Sequence, residues 1–172
     1  MLKKKSLRIT EIFSSIQGET SKIGLPTVFI RLTGCPLRCQ YCDTSYAFYG
    51  GETMLFEDII RQVIKFNCKD VCVTGGEPLA QSGSKKLLKD LVDLDFRVSL
   101  ETGGSISLEG IDERVKIIMD IKTPDSGEST KNRWKNIEIL KKSDELKFVI
   151  CSREDYQWSK EIIEAYKIDK IC

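Results

Sequence analysis

The sequence predicts an α/β fold: a parallel sheet wound as an open partial (β/α)6 barrel, with an extra N-terminal strand ahead of it. Three observations predict this. From Thr27 onward, short β-branched runs alternate with amphipathic stretches, the pattern of parallel strands joined by crossover helices. There are about six such runs, too few for a closed eight-fold barrel. The chemically suggestive residues follow strand ends, where these folds carry their chemistry. At 172 residues, a single domain over residues 1–172 is expected, with chain enough for a real core.

The elements follow in order. Leu7 and Ile9 alternate with polar residues and give the extra opening strand. Thr27-Val28-Phe29-Ile30-Arg31-Leu32 reads as a buried strand, stopped by Gly34-Cys35-Pro36. A long loop runs to about Thr53, a cap for the next helix. That helix carries Ile59, Ile60, Val63 and Ile64 on one face. Val71-Cys72-Val73-Thr74 is a strand closed by Gly75-Gly76. Leu87, Leu88, Leu91 and Val92 mark a helix. Residues 97–100 and 116–119 are strands. A helix over residues 132–140 leads to a strand at 146–150, and a final helix carries Ile162, Ile163 and Tyr166. Residues 168–172 open one more strand.

Composition excludes several function classes. Basic and acidic residues number 27 and 26, for a formal charge of +1, which offers no electrostatic footprint for direct nucleic-acid binding. No apolar run reaches the roughly 18–20 residues that span a membrane. The start is positive, but polar residues follow, so it does not read as a signal peptide. The absence of histidine removes Ser-His-Asp triads, Cys-His nucleophiles and His-bearing zinc sites. Seven cysteines, an odd number without a secretory signal, argue against a disulfide framework and for a reducing cytoplasm.

Three of the cysteines form Cys35-x3-Cys39-x2-Cys42. Closely spaced thiolates converging from a loop hold iron–sulfur clusters, and three thiolates leave one iron of a 4Fe–4S cube open to a ligand. Two other readings stand beside this one. Spacing i, i+4, i+7 also describes one face of a helix, though Arg38 and the apolar-poor flanks build no core stripe. Structural zinc would need a remote fourth cysteine. Cys68, Cys72, Cys151 and Cys172 match no ligand spacing and read as packing or surface residues.

The three-cysteine motif, followed after the next strand by Thr74-Gly75-Gly76-Glu77-Pro78, resembles the radical S-adenosylmethionine enzymes. The resemblance narrows to the 7-carboxy-7-deazaguanine synthase family through Phe13-Ser14-Ser15-Ile16-Gln17-Gly18-Glu19, the segment from Phe29 to Cys35, Tyr41-Cys42-Asp43-Thr44, Glu101-Thr102-Gly103-Gly104, Asp120-Ile121-Lys122-Thr123-Pro124 and the run from Asp144 to Ile150. It implies a radical-SAM lyase that contracts 6-carboxy-5,6,7,8-tetrahydropterin to 7-carboxy-7-deazaguanine with loss of ammonia, in the queuosine branch of tRNA modification. No side chain would itself be catalytic, because the cofactor radical carries the chemistry.

The resemblance further implies Cys35, Cys39 and Cys42 as 4Fe–4S ligands and Thr44 as a Mg2+ ligand. Tyr41, Gly76, Glu77, Glu101, Asp120, Ile121 and Lys122 would bind S-adenosylmethionine. Ile16, Gln17, Gly18, Arg31 and Thr74 would bind substrate, Arg31 clamping its carboxylate with a planar fork. Lys147 would point either into the barrel or to solvent. A flavodoxin- or ferredoxin-type reductant and a homodimer are expected. The family carries a further segment after the last strand, so a C-terminally shortened domain is expected here. A glycyl-radical-enzyme activase shares both motifs and is the second enzyme reading, although Gln17-Gly18-Glu19, Arg31 and Asp43-Thr44 favour the synthase. A non-catalytic iron–sulfur or interaction protein is the reading from a different class.

Overall fold

The computed structural model describes residues 5–168. Its centre is a seven-stranded sheet in the order β3-β1-β2-β4-β5-β6-β7. The strands are β1 (Ser6–Ile16), β2 (Pro26–Leu32), β3 (Glu52–Leu55), β4 (Asp70–Gly75), β5 (Arg97–Thr102), β6 (Lys116–Ile121) and β7 (Glu145–Phe148). From β2 to β7 every pairing is parallel. β1 runs antiparallel to both β2 and β3. Among the described residues the parallel series therefore holds five strands. The sixth, expected at 168–172, falls outside them apart from Ile168.

Period-two alternation gives the sheet two chemically different faces. Val28, Ile30 and Leu32 of β2 join Val71, Val73, Val98, Leu100, Ile117 and Met119 in one buried apolar face. Two helices cover it: α1 (Phe56–Lys65) and α2 (Ser84–Asp93). The α2 residues Leu87, Leu88 and Leu91 are fully buried. The intervening strand residues face the other way, and they include Phe29, Arg31, Thr74, Glu101, Ile118, Asp120 and Lys147. Register aligns them across the sheet: Arg31 opposes Thr74, Glu101 opposes Ile118, and Asp120 opposes Lys147.

Three local expectations change. Thr53 caps no helix; it lies in β3, opposite Arg8. Position Leu55 precedes α1 without a side-chain cap, and Glu57 and Asp58 complement the helix dipole in its first turn. The buried stripe of α1 is Phe56, Ile59 and Val63, whereas Ile64 is exposed. Residues 132–140 form no α-helix. Trp134–Ile139 is a 3-10 segment, with Asn136 turned inward. The Asn136 amide donates to the Gly104 and Ile106 carbonyls and accepts from Leu108 N–H. Asn favours this kind of backbone bonding over a helix interior. The last helix, α3 (Arg153–Tyr166), starts at Ser152, whose hydroxyl accepts from Asp155 N–H.

Candidate active site

The loop after β2 is irregular from residue 33 to 44, so the three cysteines do not form a helical stripe. Buried Leu37 pins this loop to the core. The Arg38 guanidinium donates to the carbonyls of Cys35 and Leu37, both at 2.7 Å, and lies 4.3 Å from the Phe48 ring centre. Cys35, Cys39 and Cys42 are half-buried free thiols lining one cavity of about 390 Å³. Burial pushes the Cys35 and Cys39 thiols up from their ordinary range. The Cys35 sulfur accepts from Leu37 N–H at 3.4 Å. Among the described residues no three Cys, Asp or Glu side chains are already grouped as a metal-ligand set. The donor chemistry nevertheless suits an iron–sulfur cluster: three soft thiols on a non-helical loop at a cavity wall.

The loop after β4 lies directly against the cysteine loop. Gly76 N–H donates to Leu32 O, and Glu77 N–H donates to Gly34 O at 2.8 Å. A Cβ on Gly76 would stand 2.3 Å from that Gly34 oxygen, so glycine is what lets the two backbones meet. Glu77 is fully buried. Its carboxylate accepts from Leu79 N–H, Thr102 hydroxyl and Gly103 N–H. Burial raises its pKa against the pull of these donors.

Further down the cavity the inward-facing strand residues form a polar network. Thr74 hydroxyl donates to Glu101 at 2.9 Å, and the Gln17 amide donates to the other Glu101 oxygen at 3.2 Å. Lys122 pairs with Asp120 at 3.0 Å. Lys147 pairs with Glu19 at 2.7 Å and stands 3.8 Å from Asp120, which places it inside the barrel. Burial works against both lysine charges, but Asp120 and, for Lys147, Glu19 hold them above their ordinary values. The Asp120 Oδ1 atom is buried with no hydrogen-bond partner among the described residues. It supplies an unused acceptor at the cavity wall, as a ligand-facing carboxylate should. Arg31 donates from Nε to Glu11 at 2.7 Å, with its guanidinium 5.7 and 5.8 Å from the Phe13 and Tyr46 ring centres.

The cavity thus gathers thirteen of the sixteen sequence-derived site residues: Gln17, Arg31, Cys35, Cys39, Tyr41, Cys42, Thr44, Thr74, Gly76, Glu77, Glu101, Asp120 and Lys122. Three lie off it. Ile16 is 64% exposed at the end of β1, Gly18 has open space around it, and Ile121 is buried on the helix-covered face. The wall also includes Glu19, Phe29 and Asp43, which carry no role in the sequence reading. Phe29 was findable by alternation, since it shares the Arg31 face. Of the remaining cysteines, Cys72 is buried, Cys68 donates to Pro26 O, Cys151 is exposed, and Cys172 lies outside the described residues.

A family profile described as the Radical SAM superfamily matches residues 29–167. The chain is 44% identical to the 7-carboxy-7-deazaguanine synthase of Chlorobaculum tepidum, covering 96% of this chain and 77% of that protein. It is 39% identical to the same-named protein of Koribacter versatilis, covering 95% and 73% respectively. Among solved structures, QueE from Escherichia coli shares the fold with a TM-score of 0.74 at 23% identity, over 96% of this chain and 81% of that one. No helix among the described residues is long and apolar enough to cross a membrane.

Proposed function

The chain belongs to the radical SAM superfamily and, within it, to the 7-carboxy-7-deazaguanine synthase family, and from that premise we propose how its residues share the work. It is a lyase that forms 7-carboxy-7-deazaguanine from 6-carboxy-5,6,7,8-tetrahydropterin, with ammonia lost as the ring contracts. The observation that carries the residue assignment is the meeting, in one cavity, of the cysteine loop, the Gly75-Gly76 loop and the inward row led by Arg31.

Cys35, Cys39 and Cys42 would hold a 4Fe–4S cluster, which with S-adenosylmethionine supplies the radical chemistry when bound. Tyr41, the Gly76 backbone, Asp120 and Lys122, with the backbone at Ile121 between the last two, would hold the nucleotide cofactor. Glu77 acts from behind, bracing the loops that carry Gly76 and Gly103. Glu101, bonded to both Gln17 and Thr74, would bind the nucleotide cofactor and brace those two residues for the substrate. Arg31 would fix the substrate carboxylate, and Gln17 and Thr74 the pterin edge, with Ile16 and Gly18 shaping the turn that carries Gln17. Thr44, whose hydroxyl meets Asp43 at 2.7 Å, would offer hard oxygen to Mg2+.

A low-potential flavodoxin- or ferredoxin-type protein would deliver the electron in the cytoplasm. A homodimer is supported by the outer edge of β1 beyond its contact with β3, which pairs with no strand among the described residues and lies beside exposed Ile16 and Ile23.

The test is anaerobic reconstitution with iron and sulfide, then dithionite, S-adenosylmethionine, Mg2+ and the carboxytetrahydropterin. The expected result is pterin-dependent formation of 7-carboxy-7-deazaguanine and ammonia. Loss of all S-adenosylmethionine cleavage would overturn the radical reading. Cleavage with no product would overturn the substrate assignment.

A further inference from the structure

The turn between β1 and β2 reaches through the barrel rather than folding back at its rim. At one end, Gln17 and Glu19 line the cavity, bonded to Glu101 and Lys147. A few residues on, the same turn is fastened to the starts of three parallel strands. Lys22 Nζ lies 2.5 Å from the carboxylate of Asp70 at the head of β4, which Arg97 at the head of β5 also binds. Ser21 N–H donates to Glu145 at the head of β7, and its hydroxyl accepts from Lys116 of β6 at 2.6 Å. Asp70 and Glu145 are both buried, although each belongs to a residue type that is seldom buried unless paired.

The turn needs such fastening. Thr20 sits at φ 69, in the left-handed region that disfavours a residue with a Cβ. Within itself the turn is held by Gln17 N–H to Leu25 O, Gly24 N–H to Gln17 O, Ile23 N–H to Thr20 O, Leu25 N–H to Lys22 O, Lys22 N–H to the Thr20 hydroxyl, and Glu19 N–H to the Gln17 side chain. Left alone, these do not fix where Gln17 stands relative to β5 and β7. Besides Gln17 to Glu101 and Glu19 to Lys147, the contacts of Lys22 with Asp70 and of Ser21 with Glu145 tie the turn to the sheet from its far end.

We propose that Ser21 and Lys22 are positioning residues for the substrate: clamped by Asp70 and Glu145 at the far end of the barrel, they set the place of Gln17 and Glu19 in the cavity floor. This rests on the synthase reading of the same cavity. None of the anchoring groups lines that cavity; they act through the turn.

Lys22→Ala is the primary variant, because buried Asp70 keeps Arg97 as its ion-pair partner. In the reconstituted enzyme the KM for the carboxytetrahydropterin should rise about fivefold, with kcat held within about twofold. S-adenosylmethionine cleavage without pterin should be unchanged. Lys22→Arg should restore the KM. Glu145→Gln, which weakens the second anchor, should shift KM in the same direction. In the unreacted protein, amide exchange at Gln17, Gly24 and Leu25 should quicken in Lys22→Ala. An unchanged KM in both variants would overturn the proposal. So would a joint fall in kcat, cofactor cleavage and melting temperature, which marks a general structural role. Failure of the synthase reading itself would show first, as wild-type enzyme making no product, while amide exchange would still report whether Lys22 anchors the turn.

Discussion

The Thr102 hydroxyl at the end of β5 sits between the two carboxylate oxygens of Glu77, 2.9 Å from Oε1 and 2.8 Å from Oε2. Gly103 N–H meets Oε2 at 2.8 Å, and Leu79 N–H meets Oε1 at 2.9 Å. One buried side chain therefore ties the loop after β4 to the loop after β5.

That arrangement predicts a pH-dependent cost for Glu77→Gln. The amide can still accept from two donors, but its NH2 must face a third, leaving a buried N–H unpaired at about 1–3 kcal/mol. Burial raises the native pKa of Glu77, so the native state binds this proton more tightly than the unfolded chain does. The wild type then holds its extra stability below about pH 4.3 and loses it as pH rises through the raised native value. Glutamine has no such titration. Denaturant melts from pH 4 to 8 should show the variant less stable, with a gap that narrows as pH rises. A gap that widens would mean the carboxylate is stabilised as an anion.

Gly76→Ala tests whether the glycine pair serves the backbone. The added Cβ would stand 2.3 Å from Gly34 O and 2.9 Å from the Cys35 Cβ, and neither is a flexible side-chain end. Forcing the loops apart should cost about 1–3 kcal/mol and should also lower iron uptake, because Cys35 moves with Gly34. Gly18→Ala is the control. Its Cβ would meet nothing within 4 Å, so melting should shift by no more than about 0.5 kcal/mol. Equal effects at the two glycines would refute the close-approach argument.

Arg31→Lys separates charge from shape. Glu11 accepts from Nε, and the Tyr46 hydroxyl donates to the same Glu11 oxygen at 2.7 Å. This leaves the guanidinium edge available to a carboxylate, held between the Phe13 and Tyr46 rings. Lysine keeps the charge but cannot bind Glu11 and a substrate carboxylate with one planar fork. Losing a charge-assisted contact worth about 1.5–3 kcal/mol should raise the pterin Kd about 10- to 100-fold. Titration calorimetry on the reconstituted protein, with a non-reacting pterin carboxylate, checks this. An affinity within about twofold of wild type would remove the clamp assignment.

Most of the fold was legible because it rests on period-two alternation. β2, β4, β5 and β6 each carry an apolar outer row, and the same alternation puts Arg31, Thr74, Glu101 and Asp120 together on the inner face. What escaped notice had no periodic signal. β3 is four residues long and polar at its start, and only its pairing with Ser6–Ile9 makes it a strand. The inward turn of Asn136 depends on a loop 28 to 32 residues away in sequence. Within the site, the cysteine and glycine motifs were plain from spacing. The structural duty of Glu77 was not, because it depends on where Thr102 and Gly103 come to rest. Nor did any local pattern reveal that Ser21 and Lys22 cross to the strand heads.

The cysteine loop gives the last prediction, which distinguishes ligands from the residue that shapes them. Cys39→Ala removes one of three thiols, and a cube with one open iron needs all three. After anaerobic reconstitution it should lack the brown chromophore and most of its iron. Arg38→Ala keeps all three thiols but frees the carbonyls of Cys35 and Leu37 and the stacking on Phe48. Because Arg38 is exposed, the loss should be near 1 kcal/mol. The variant should therefore load iron to the wild-type level yet surrender it to a chelator about fivefold faster. If Arg38→Ala loses iron at the wild-type rate, the loop is held by Leu37 and the Gly34 contacts alone. If Cys39→Ala retains full iron, Cys39 is not a ligand.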